Sequence, residues 1–247
     1  MGIFNTIFAA ILILAPLSAQ KLSPAKMDSE DFLEECRKQL LNNCWLKLEG
    51  KINIRKEGVR FRPMTLKCAA QLVPNKITFK ATVQKTESFK VEHVFGQKHD
   101  MKVLENTLGK DNSFDKVGLK PTDLSLAFMY WDYIKEYPRD GLGAVGQYKC
   151  RVMLLANPDT DKDDKYVKVW LSERVLAPLK VEWYKDLKKD PIKELTFKDF
   201  AEKNKVWVPL ELKITNDKGD LQVKFDKEKI AAAFSKTVPA DLYKTEN

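Results

Sequence analysis

Between residues 166 and 226 apolar and polar side chains alternate through the runs YVKVWLS, PLKVEWY, VWVPLELKIT and LQVKF. A period of two sends successive side chains to opposite faces of a pleated strand. Val167, Val169 and Leu171 therefore share a face, as do Leu179, Val181 and Trp183, then Val208, Leu210, Leu212 and Ile214, then Leu221, Val223 and Phe225. The positions between them carry Lys168, Lys180, Glu182, Glu211, Lys213, Gln222 and Lys224. A sheet that is apolar on one side must bury that side, and what covers it becomes the functional question.

Upstream, Phe32, Leu33, Cys36, Leu40 and Leu41 recur at three and four, which predicts an amphipathic helix over 30–42 with Ser29 as its cap and Glu30 and Asp31 in its first turn. From Cys44 the period changes to two. Strands are predicted over 44–54, with Gly50 as a bend or bulge, over 59–72 with Pro63 inside it, over 77–83 and over 89–95. The turns between them are short, so these strands form an antiparallel meander. Residues 97–121 lose the pattern apart from a strand around Met101, Val103 and Leu104, and 109–118 read as a polar loop. A brief helix is predicted over 122–129, capped by Thr122 or Asp123, then extended chain over 130–137 and an apolar strand over 147–155. Residues 192–200 predict a strand closing on a turn at 203–205, and 227–234 a short helix or frayed tail. No linker or repeat divides 20–247, which reads as a single domain.

The front of the chain is different. Residues 3–19 are an apolar run ending in Leu17, Ser18 and Ala19, the layout of a secretory signal peptide over 1–19 with cleavage before Gln20. The run is short against the roughly 20 residues of a membrane span. It contains no charged side chain, so the mature chain keeps the formal net charge of +8, with 43 basic and 35 acidic residues interspersed along the strands. Nucleic-acid partners call for clustered basic residues instead, so no nucleic acid is expected. In an oxidising compartment four cysteines allow disulfides, and Cys36 with Cys44 closes the shortest loop. Neither the cysteines nor His93 and His99 fall in a metal-binding spacing, and no nucleophile elbow, phosphate loop or HExxH is present. The acidic stretch Asp159, Asp161, Asp163, Asp164 has Asp164 and Trp170 where a calcium loop needs Gly and Glu, and reads as a solvated turn. No catalytic residue, metal or cofactor is expected, and the chain is read as a non-enzyme.

What the sequence does supply is apolar sheet surface in excess of the helices available to cover it. A curved antiparallel sheet of this kind either closes on its own side chains or leaves room for an apolar ligand. Strand parity nominates Leu46, Leu48, Ile52, Ile54, Ile77, Phe79, Phe89, Val91, Phe95, Val152 and Val181 as cavity lining.

The stretches TDLSLAFMYWDYIKEY, LLANP, YVKVWLSERVLAPLKVEWYKD and VWVPLELKITNDKG, within a match running over 29–235, resemble the outer-membrane lipoprotein-sorting protein family with its LolA/LolB-like fold. The resemblance implies a mainly β (α+β) chain whose curved antiparallel sheet forms an unclosed half-barrel, with the helices at 30–42 and 122–129 plugging its concave side. It implies a monomeric periplasmic carrier holding lipid or lipoprotein acyl chains and moving them towards the outer membrane, with membrane-bound donor and acceptor proteins as further partners. It also implies an arginine near the cavity, for which Arg55, Arg60 and Arg62 are the candidates. The alternative is an envelope sensor or protein-interaction domain of the same fold with a closed core.

Overall fold

Alternation in the sequence becomes strand wherever a neighbouring run can pair with it. The structure, a computed structural model, describes residues 12–13, 23–40, 43–95, 100–108, 126–138, 143–159, 164–217 and 219–244. Of the expected leader it describes only β1 (Leu12–Ile13), whose backbone pairs with Val206 and Trp207. The first meander consists of β2 (Cys44–Lys56), β3 (Val59–Arg60), β4 (Met64–Val73), β5 (Lys76–Val83), β6 (Glu87–Val94) and β7 (Asp100–Asn106). The second comprises β8 (Asp132–Glu136), β9 (Ala144–Val145), β10 (Tyr148–Ala156), β11 (Tyr166–Ser172), β12 (Pro178–Tyr184), β13 (Lys193–Lys203), β14 (Val206–Asn216) and β15 (Gly219–Phe225).

All pairings are antiparallel, and β15 joins the two meanders by pairing with β2, from Asp220 opposite Arg55 to Phe225 opposite Gly50. The resulting path runs from β7 to β8, which are not paired with each other, so the sheet is open, as an unclosed half-barrel requires. The apolar residues of β2, β4–β6 and β11–β15 converge on one inner face, including Leu48, Ile52, Val83, Val169, Trp183, Ile214 and Val223. Two pieces cover it. One is α1 (Ser29–Leu40), which buries Phe32, Leu33 and Cys36 while Glu30, Asp31, Glu34 and Lys38 stay exposed. The other is a 3-10 turn, Ala127–Tyr130, buried along its whole length. No helix among the described residues is long and apolar enough to cross a membrane.

Several local expectations change. Asp28 rather than Ser29 caps α1, its carboxylate accepting from the Asp31 amide at 2.9 Å, and that bond holds the Asp28 carboxyl below the usual carboxylate range. The strand expected over 59–72 is broken at 61–63 into β3 and β4, and Pro63 at that break has no amide to donate. The helix expected over 122–129 lies outside the described residues up to Ser125, and residues 127–130 form the tighter 3-10 turn, entered through Leu126 at φ 56°. The expected loop over 109–118 also lies outside the described residues. The tail read as helix or frayed end is a 3-10 turn, Lys227–Lys229, leading into a further strand, β16 (Ala231–Phe234), which pairs with β2 from Cys44 to Lys47.

Gly50 marks neither a bend nor a bulge. Its register with Phe225 on one side and Leu66 on the other is regular. A Cβ there would lie 2.3 Å from the Lys224 carbonyl oxygen, so only glycine lets β15 approach this closely. Gly50→Ala should destabilise the fold by about 1–3 kcal/mol, because backbone yields less readily than a side chain. The measurement is the urea midpoint at unchanged slope, and an unaltered midpoint would show that the β2–β15 seam can open without cost.

Candidate functional site

The inner face is sealed by pieces that polar side chains hold in place. Arg151 heads the run RVMLLA in the interior of β10, and strand parity puts it on the same face as Met153 and Leu155, both in the main core. Its side chain is 2 % exposed. Every arm of the guanidinium is used. Nε donates to Glu136 Oε1 at 2.9 Å and Nη2 to Glu136 Oε2 at 2.5 Å. Nη1 donates to the carbonyls of Pro24 and Met27 at 3.1 and 2.9 Å, and the plane lies over the Phe32 ring with its central carbon 4.4 Å from the ring centre. The Ser29 hydroxyl donates to Glu136 Oε2 at 2.6 Å. Strands β10 and β8 thereby grip both the lead-in to α1 and its first turn.

The far end of the helix is fastened by Arg37. Its Nε and Nη2 donate to the carbonyls of Met129 and Trp131 at 2.7 and 2.8 Å, and Nη1 to Glu34 at 2.6 Å. In return the Tyr130 hydroxyl donates to the Arg37 carbonyl at 3.3 Å. The 3-10 turn is thus tied to the helix through backbone carbonyls, while Phe128 packs edge-on against Trp183 and Tyr130 stacks on Phe95 at 3.5 Å between ring centres. His93 lies at 4.2 Å from the Phe95 ring, as a core side chain beneath that stack. Burial pushes the Tyr130 phenol well above its ordinary value, so it stays protonated and able to donate.

Below the turn is an apolar pocket lined by Leu46, Leu48, Ile77 and Phe79 from the nominated set, with Cys68, Ala70, Leu72, Leu126, Leu212 and Phe225. Its volume is about 50 Å³. Ile52, Phe89, Val91, Phe95 and Val181 belong to the same core without lining the pocket, and Ile54 packs against it half-buried. Val152 lies elsewhere. It joins Cys150, Trp170, Val175, Ala177 and Leu179 in a separate cluster, because β10 is apolar on both faces and its parity points Val152 away from Met153. At the helix's far end a larger cleft of about 590 Å³ is bordered by Arg37, Lys38, Phe95, Tyr130 and Trp131, among others.

Two further expectations are corrected. Cys36, Cys44, Cys68 and Cys150 are all free, buried thiols, so the Cys36–Cys44 bridge is not formed. Both side chains are instead spent on the apolar core. Arg55, Arg60 and Arg62 are exposed, and the arginines at the plug are Arg37 and Arg151. A signal for Arg151 was available: an arginine inside a nearly continuous apolar run is buried only when paired. Its partner, fifteen residues earlier, was not. Among the described residues no group of His, Cys, Asp and Glu is arranged to hold a metal ion.

The sequence matches no family model and is similar to no curated protein. Solved structures are similar in fold. A DUF1329 family protein from Desulfovibrio piger superposes with a TM-score of 0.64 at 13 % identity, over 87 % of this chain and 95 % of its own. A candidate outer-membrane lipoprotein-sorting protein domain from Vibrio parahaemolyticus gives 0.60 at 15 % identity, over 87 % and 95 %. A LolA superfamily protein from Nitrosomonas europaea gives 0.50 at 11 % identity, over 89 % and 98 %. The chain has a LolA-like fold.

Arg151→Met leaves the Glu136 carboxylate buried without its partner, and the fold should lose about 3–5 kcal/mol, read from the urea midpoint. Arg151→Met with Glu136→Met should recover much of that loss, and equal instability of single and double variants would place the loss in the Arg151 bonds to Pro24 and Met27 instead of in the stranded carboxylate. Burial also pushes the Cys44, Cys68 and Cys150 thiols up to about 12, and Cys36 higher still. The unfolded chain ionises its thiols near pH 9, so the fold keeps this contribution below that pH and loses it as pH climbs towards 12. Iodoacetamide at pH 8.5, about the free thiol value, should leave the native protein unlabelled and mark every cysteine once urea is added.

Proposed function

We propose that this protein is a periplasmic carrier that binds lipid or lipoprotein acyl chains against the inner face of its sheet and moves them towards the outer membrane. The observation that carries the reading is how the inner face is closed. No strand crosses it among the described residues. It is covered by α1 and the Ala127–Tyr130 turn, and these are attached to each other by side-chain bonds to backbone carbonyls. Such a cover can open at the turn without breaking any strand ladder. Beneath it the lining is aliphatic and aromatic, a surface that stabilises alkyl chains at about 25 cal/mol per Å² buried. The same lining offers no paired acid and base for chemistry on the cargo.

A pocket of about 50 Å³ holds no acyl chain as it stands. Ligand pockets run to roughly 300–1,000 Å³. Loading therefore requires the Leu126–Tyr130 segment to lift and expose Leu46, Leu48, Ile77 and Phe79 together with their neighbours. The LolA-like fold of the neighbours supports this reading of an exported, non-enzymatic, monomeric carrier that needs donor and acceptor proteins at the two membranes. The small volume favours one alternative, a sensor or protein-interaction domain of the same fold whose interior stays shut.

Uptake of a fluorescent fatty-acyl probe by the delipidated protein separates the two. The carrier reading expects saturable binding, faster loading in Arg37→Ala, where the turn loses its hold, and at least a tenfold loss of affinity in Ala70→Phe, where the pocket is filled. Native mass spectrometry of gently purified protein should show bound lipid. A folded protein that takes up no probe even as Arg37→Ala belongs to the alternative.

A further inference from the structure

Among the described residues, the hairpin at the end of β2 combines exposed apolar side chains with a cluster of cationic ones. Every residue from 55 to 63, RKEGVRFRP, is exposed. Within it Val59 and Phe61 show 60 % and 51 % of their surface to solvent. Globular surfaces leave single apolar residues exposed without consequence, but here two lie two positions apart and are flanked by Arg55, Lys56, Arg60 and Arg62 against the single carboxylate of Glu57. The clustering is local. Elsewhere basic and acidic residues are interspersed, and ion pairs such as Lys180 with Glu182 on its own strand and Glu194 on the next neutralise them.

The hairpin is also two-faced. Arg55 stands opposite Arg60, and Lys56 opposite Val59. The Phe61 amide donates to the Ile54 carbonyl at 3.0 Å, extending the same register by a pair. Parity therefore puts Val59 and Phe61 on the side of Ile54, and Arg55 and Arg60 on the other. Beside the hairpin runs a groove of about 710 Å³ that adds Lys213 and Lys224 to its cationic wall. Its one carboxylate, Asp220, accepts from the Thr215 hydroxyl at 2.8 Å, and Lys224 is shared with Glu211 at 3.6 Å.

We infer that hairpin 55–63 and this groove form a docking surface for an anionic lipid bilayer. Val59 and Phe61 enter the boundary between headgroups and acyl chains, while the arginines stay level with the phosphates and reach them through their own flexible stems. The headgroup phosphates supply the negative charge that the groove lacks. Ile54 and Leu221, which border the groove, are also the inner-face residues of β2 and β15 nearest this end, so the docked tip is continuous with the apolar wall. Docking itself does not depend on what the interior carries.

Co-sedimentation of the full chain with lipid vesicles tests the assignment. The wild-type protein should pellet with phosphatidylcholine vesicles containing phosphatidylglycerol, should not pellet with phosphatidylcholine alone, and should be released as salt rises from ~0.05 to ~0.5 M. At low salt Arg60→Glu with Arg62→Glu should weaken binding at least tenfold, and Phe61→Ser severalfold. These positions are exposed, so both variants should keep the wild-type urea midpoint and the wild-type uptake of the fatty-acyl probe, which separates failure of docking from failure of the carrier reading. A polarity-sensitive dye on Val59→Cys should shift to the blue on anionic vesicles. Equal binding to neutral vesicles, full binding by the charge-reversed variant, an unshifted dye, or salt-sensitive self-association through this face in place of vesicle binding would each overturn the proposal.

Discussion

A guanidinium carried into an apolar interior must find an acceptor for each of its donors, and meeting that demand at Arg151 organises the plug. Desolvating one charge is costly, and a single carboxylate repays it only when the remaining donors are also met. Glu136 takes two of the bonds, and the chain leading into α1 is bent so that the carbonyls of Pro24 and Met27 take others. The helix does not dock on the sheet by hydrophobic contact alone. Its starting point is dictated by where Arg151 needs oxygen. Ser29, which would cap the helix on propensity, is drawn into the same network through Glu136, and the capping role passes to Asp28.

The two ends of α1 are held in different ways. At the first turn the partners include a buried ion pair between strands β8 and β10, part of the rigid frame. At the last turn Arg37 meets the carbonyls of Met129 and Trp131, the face of the Tyr130 ring and an exposed glutamate on its own helix. Hydrogen bonds of the second kind lie partly within reach of water, so breaking them costs less than breaking a buried ion pair. The firm end is therefore the N-terminal one, and any motion of the cover pivots about it. The carrier reading therefore puts the opening at Met129–Trp131, away from the ion pair.

Much of the sheet could be read from alternation, because most strands of the two meanders bury one face and solvate the other. Legibility failed where that contrast vanished. In β10 the run VMLLA is apolar on both sides, so parity offered no reason to place Val152 with the satellite cluster and Met153 with the core. The small apolar stretch 231–234 was too short to show a period and proved to be a strand, since β2 extends past the end of β15 and offers it an edge. The plug was half legible. The stripe of Phe32, Leu33 and Cys36 announced a buried helix face, but the bonds that fasten it join residues about 90 to 127 positions apart, which local pattern cannot register. The cysteines misled through compartment: an even count in an exported chain favours bridges, whereas these four are used as small apolar side chains.

The seam between the two meanders has a consequence for how the molecule comes into being. Strand β2 is among the first elements to emerge in synthesis, yet two of its neighbours are β15 and β16, among the last. Until those arrive, one long edge of β2 has no partner, and the inner face cannot curve into its final shell. Connections of such sequence separation slow folding, because the loop must be closed before the contact rewards it. The same ladder that seals the finished half-barrel therefore keeps the unfinished chain open until its C-terminal strands arrive.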